Sequence, residues 1–161
     1  MCVQPNEALE MKYSSLDVAS RIAHVCHENG MTFNNTKIQK LLYCCYGCAL
    51  VTLGGRLCDE YPRAWPYGPV FPRVYKYMSK GKNLLSFNPG SFADKADDLI
   101  VEVVKNFGIY TAQSLSEWSH SEGSPWDTVV NGLDDDTKGG LGNFIPDDLI
   151  AEYFRKNVVE L

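Results

Sequence analysis

NNTKIQKLLYCCYGCALVTL, residues 34–53, places Ile38, Leu41, Leu42, Cys45, Ala49 and Leu53 at successive intervals of three, one, three, four and four residues. That spacing makes one continuous apolar stripe along an α-helix. Asn34 or Asn35 can cap its start, and Gly54-Gly55 ends it.

On the N-terminal side, Ser14 and Asp17 have the spacing of a capping box. Leu16, Ala19, Ile22, Ala23 and Cys26 then recur at helical intervals up to a stop at Asn29-Gly30, which predicts a helix over Leu16–Glu28. On the C-terminal side, Pro62, Pro66, Gly68 and Pro69 punctuate short segments at Leu57-Cys58 and Arg63-Ala64-Trp65, the pattern of a small hairpin. Pro72 opens a third helix with Val74, Tyr75 and Met78, which Gly81 ends. Residues Asn83 to Gly90 read as a loop. A fourth helix spans about Ala93–Phe107, with Leu99, Ile100, Val103, Val104 and Phe107 on one face and Gly108 as its stop.

Thr111 caps a short fifth helix, Ser124-Pro125-Trp126-Asp127 starts a sixth, and Pro146-Asp147-Asp148 opens a last one with Leu149, Ile150, Tyr153 and Phe154. Asn131 to Gly142, rich in Asp and Gly, reads as a mobile loop. These elements predict a mainly α protein of about six or seven helices with a small β-hairpin. It forms a single compact domain over residues 13–161, behind a flexible N-terminal lead of residues 1–12.

The composition narrows the function classes. A chain of 161 residues is about one domain's worth, and its 45% hydrophobic and 22% charged residues are ordinary for a folded domain. The longest apolar stretch, Leu41 to Leu53, is broken by polar residues and falls short of the ~20 needed to span a bilayer. Met1 to Glu10 lacks the basic flank and apolar core of a secretory signal, so a cytoplasmic location is expected. Six cysteines, three of them crowded at Cys44, Cys45 and Cys48, read as reduced thiols rather than a disulfide framework. A net charge of −5 offers no general attraction to phosphate backbones, so nucleic acid is not an expected partner.

Few residues point to chemistry. Cys45 and Cys48 form a C-x-x-C pair whose second half, in a zinc site, would come from His24, Cys26 and His27; Cys45 lies on the apolar stripe, and the core reading is preferred. No phosphate loop, nucleophile elbow or H-E-x-x-H pair occurs, so no enzyme activity, metal or cofactor is expected. A small hydrolase using a cysteine with His120 or His27 as base is the alternative of another class. Asp134-Asp135-Asp136 lacks the spacing and the distal glutamate of a calcium loop.

Lys37 and Lys40 stand at the start of the second helix, where the dipole disfavours positive charge. With Arg63 and Arg73 they can present a positive ridge to an acidic partner. Tyr43, Trp65, Tyr67, Tyr75 and Tyr77 gather aromatics near the hairpin, and such residues dominate protein interfaces. Trp65 and at least one tyrosine are expected to belong to the core. Lys37, Lys40, Tyr43, Arg63, Trp65, Tyr67, Arg73 and Tyr75 are therefore the candidate partner-binding residues.

Asn34-Asn35-Thr36-Lys37-Ile38-Gln39-Lys40-Leu41-Leu42-Tyr43 resembles the K-L-Q-K-L-L-Y signature of the SocA-like Panacea domain family. Glu60, then Ala64-Trp65, Tyr67-Gly68-Pro69-Val70, Pro72 and Tyr75, is similar to that family's E-x-x-x-A-W-x-Y-G-P-V-x-P-x-x-Y block. Ser119-His120 followed by Pro125-Trp126 is similar to its T-H-x-x-x-P-W element. The chain departs from the pattern at Cys44 and Cys45, where aromatic or small residues are common.

The resemblance implies a mainly helical domain with a small sheet, acting as the antitoxin of two-gene systems in bacteria and phages and restraining a cognate toxin protein. Some relatives hand a toxin to a protease as adaptors, which is the alternative function and makes a protease a second candidate partner. Gln39, Gly68, Pro69, His120, Pro125 and Trp126 are motif positions that either hold the fold or touch the partner. Gly68 and Pro69 are backbone devices first.

Overall fold

The computed structural model describes residues 12–132 and 140–159. Most of the lead over residues 1–12, the aspartate cluster and most of the Asn131–Gly142 segment lie outside the described residues. The chain runs α1 (Ser15–Glu28), α2 (Asn35–Thr52), β1 (Arg63–Trp65), β2 (Gly68–Val70) and α3 (Pro72–Ser79). A 3₁₀ turn (Leu84–Ser86) follows, then α4 (Asp94–Phe107), α5 (Ala112–Ser119), α6 (Pro125–Asn131) and α7 (Asp147–Asn157). The expected class, mainly helical with one hairpin in one domain, is the observed one.

Local signals set most of the boundaries. Asn34 caps α2 by accepting from Lys37 N at 2.8 Å, and Thr111 and Ser124 cap α5 and α6 through Ser114 N and Asp127 N. Ser14 also caps α1, but its hydroxyl accepts from Leu16 N at 3.3 Å rather than from the Asp17 amide of a full capping box. Gly30 and Gly81, just past α1 and α3, take positive φ.

α2 differs from its expected single stripe. Every residue from Lys37 to Ala49 is buried, because α1, α3, α4, α5, α7 and β2 surround it. A helix buried on all sides lies at the centre of a fold rather than on its surface, and its buried Lys37, Gln39 and Lys40 set it apart from a purely apolar one. Gly47 makes that possible on one side: a Cβ there would lie within 2.5 Å of the Phe154 ring, so only glycine lets α7 seat this phenylalanine against α2. Tyr43 meets the same ring edge-on at 5.4 Å, and Trp118 of α5 meets it at 6.0 Å. Tyr46 donates from its hydroxyl to Asp147 at 2.5 Å, and Arg56 pairs with that carboxylate at 3.6 Å, so the start of α7 is fastened to α2 as well.

The hairpin is antiparallel, with Arg63 opposite Val70, Ala64 opposite Pro69 and Trp65 opposite Gly68. Its other edge is covered too. Ala64 N donates to Asn143 O, Gly142 N to Ala64 O and Ile145 N to Pro62 O, at 2.7 to 3.0 Å. β1 is thus flanked on both sides and exposes no free row of backbone groups. Leu57-Cys58 does not join the hairpin; it pairs instead with Tyr13, through Tyr13 N to Leu57 O and Asp59 N to Tyr13 O, both 2.8 Å. The expected Asn83–Gly90 loop contains the 3₁₀ turn, whose Leu84 is buried and whose carbonyl accepts from Ser20 of α1.

Candidate functional site: the hairpin and its helical backing

The motif positions from three distant stretches meet at the hairpin. Lys40, on α2, is 2% exposed and donates from Nζ to Pro69 O at 2.8 Å. Its neighbour Gln39 accepts from Phe71 N at 2.7 Å and donates to Phe71 O at 3.4 Å. Together they satisfy the backbone of β2 and the residue after it, groups whose sheet partners lie on the other edge. Burial pulls the Lys40 ammonium down to about 8 from its ordinary 10.5, with the nearby Cys44 opposing.

Gly68 combines φ +114° with a contact that excludes a side chain: a Cβ there would lie against Ser119 Oγ and Lys40 Nζ. α5 and α6 close the other side. Trp126 donates from Nε1 to Trp65 O at 2.6 Å, and Ser116 Oγ donates to Tyr67 O at 2.9 Å. His120 ends α5 with its ring 5.5 Å from that of Trp126, and its buried Nδ1 has no hydrogen-bond partner. Pro125 is buried at the first turn of α6. Gln39, Gly68, Pro69 and Trp126 therefore hold the hairpin against the helices.

The candidate partner-binding residues separate into two groups. Tyr43 lies in the core, its buried hydroxyl unpartnered and held far above the ordinary phenol range by burial. The positive ridge is not assembled. Lys40 is spent on Pro69, and Lys37 is buried along a separate groove beside residues 29–34 and 108–112. Arg63 lies over the Phe144 ring at 4.0 Å and donates to Gly142 O, while Arg73 pairs with Asp59 at 2.7 Å.

The other group faces out. Tyr67 at the hairpin tip is 77% exposed, Tyr75 is exposed, and Trp65 is partly buried with its ring edge-on to Tyr75 at 5.0 Å. Asn35 donates to Tyr75 O at 3.3 Å and holds α3 to the start of α2. In the sequence Ser116 has no role, Asn35 is marked only as a cap and motif position, and Ser119 only as a motif position. A serine on a short helix carries no distinguishing signal until its partner carbonyl is in place.

The five described thiols, Cys26, Cys44, Cys45, Cys48 and Cys58, are free and buried. Burial pushes all of them up, Cys48 to about 11 and Cys58 to about 12. A nucleophilic cysteine needs the opposite shift and an open approach. Among the described residues no group of three or more His, Cys, Asp or Glu is arranged to hold a metal ion. None of the described helices is long and apolar enough to cross a membrane.

Comparison with known proteins agrees with the motif geometry. The family model described as antitoxin SocA-like, Panacea domain, matches residues 38–127, the span from α2 to the start of α6. Antitoxin SocA of Caulobacter vibrioides (strain NA1000 / CB15N) is 34% identical over 137 residues, covering 76% of this chain and 72% of that protein. No solved structure matches the chain.

Proposed function

The chain belongs to the antitoxin SocA-like Panacea domain family, and on that premise we propose that it restrains a cognate toxin by binding it directly through the outer face of the hairpin. The observation that carries this reading is the contrast at Tyr67. Its backbone carbonyl is held by Ser116, its strand neighbours are locked by Lys40, Gln39 and Trp126, and its side chain is 77% exposed. An aromatic side chain on a rigid mount loses little conformational freedom on binding, which is what interface hot spots require. Trp65 and Tyr75 extend the aromatic surface beside it, and Arg63 stacked on Phe144 continues it with a cation.

Co-expression with the product of the neighbouring gene tests this. Rescue of growth together with a stoichiometric complex is the expected result, and Tyr67→Ser with Tyr75→Ser is expected to abolish both while leaving the fold intact. Rescue accompanied by loss of the toxin, with no complex, would replace direct restraint by delivery to a protease. Rescue and complex undiminished in the double variant would remove the hairpin tip from the interface.

A further inference from the structure

α2 and α5 begin beside one another, and their capping residues Asn34 and Thr111 line a single open groove of about 750 Å³. Each cap satisfies one first-turn amide, that of Lys37 or of Ser114. Of the remaining first-turn residues only Ala112 of α5 lines the groove, and the two caps place the positive ends of both helix dipoles at its wall. Lys37 lines the same groove. It is 8% exposed, and among the described residues its ammonium has no hydrogen-bond or ion-pair partner. The dipole at this helix start disfavours a cation, and an anion in the groove would offset that.

No aspartate or glutamate lines the groove, although acids outnumber bases 20 to 15 in the chain. The groove is therefore a positive pocket on an acidic protein. At its rim Ile109 and Tyr110 are 70% and 50% exposed, and Met31 adds a further apolar wall. A compact inorganic anion would neutralise the pocket and leave that apolar rim uncovered. An anionic group carried next to an apolar side chain covers both.

We propose that this groove binds a carboxylate-bearing peptide segment, with Lys37 and the start of α5 at Thr111-Ala112 holding the carboxylate and Ile109 and Tyr110 receiving the adjoining apolar side chain. The inference does not depend on the hairpin tip being the toxin surface. The full-length protein is titrated with N-acetyl-Ala-Leu-Glu bearing a free C-terminus and followed by backbone amide shifts. Saturable shifts confined to residues 29–37 and 108–114 are expected.

The neutral analogue, N-acetyl-Ala-Leu-Gln with a C-terminal amide, is expected to bind at least about tenfold more weakly. Lys37→Met is expected to lose a similar factor, Lys37→Arg to retain binding, and Tyr110→Ser to weaken it severalfold, since a rim substitution leaves the caps in place. Equal binding of the acidic and neutral peptides, or shifts that map elsewhere, would overturn the proposal. So would inorganic phosphate binding as tightly as the acidic peptide.

Discussion

Lys40 and Tyr67 meet the same hairpin from opposite sides and do opposite things. The lysine, the residue type most often left in solvent, is sealed inside with its charge on Pro69 O; the tyrosine, with far more apolar surface, stands in water. Residue type alone assigns the two roles the wrong way round. What separates them is backbone need. β2 turns polar groups toward α2, and a buried carbonyl needs a donor, which Lys40 supplies to Pro69 O. The outward side of the tip makes no such demand, so its aromatic is free to serve a partner.

Substitutions graded by their effect on stability break or sharpen that contrast. The largest effect is expected at the centre of the clamp's support: Gly47→Leu drives a side chain into the Phe154 ring and costs upwards of about 3 kcal/mol or prevents folding. A urea midpoint near wild type would show that Phe154 does not rest on α2.

Lys40→Met leaves Pro69 O without its donor and is expected to cost about 1 to 2 kcal/mol at pH 7. The comparison with wild type also carries a pH signature. Burial lowers the folded Lys40 to about 8 against 10.5 in the unfolded chain, so between those values the unfolded state binds the extra proton. Wild type therefore gains stability relative to Lys40→Met as pH rises through that window. Cys48 and Cys58 act oppositely: raised from 9.0 to about 11 and about 12, they make both proteins lose stability as pH climbs above 9. Denaturation of both proteins at a series of pH values isolates the lysine, and a constant difference would mean its ammonium is not enclosed.

Trp126→Phe keeps the ring but removes the donor to Trp65 O, for an expected loss of about 1 kcal/mol in the same assay. Tyr67→Ser is expected to change stability by less than about 0.5 kcal/mol while lowering toxin affinity at least about tenfold in a titration of the purified pair. A clear loss of stability in Tyr67→Ser would place that side chain among the supports and dissolve the distinction.

Much of the helical frame was legible because its signals are local. Asn34, Thr111 and Ser124 cap where their spacing indicated, and Pro72 opens α3. The hairpin was legible from its prolines and glycines, but its third partner at residues 142–145 was not, since pairing across some eighty residues leaves no periodic trace. Of the candidate partner-binding residues, Tyr67 and Tyr75 lie outside, whereas Tyr43 and the lysines lie within, which their residue types do not reveal. A motif shows that residues are needed together without showing which way they face.

The sequence by itself determined the helix boundaries, the hairpin, the core character of Cys45 and the family, because caps, breakers, apolar spacing and motif blocks act within a few residues of one another. Only the tertiary structure decided that α2 is buried on every side, that Lys40 and Gln39 are spent on the hairpin backbone, and that Lys37 lines a groove between two helix starts. Those outcomes depend on what the other helices bring to each face of α2, and burial is a property of the assembled surroundings rather than of the residue.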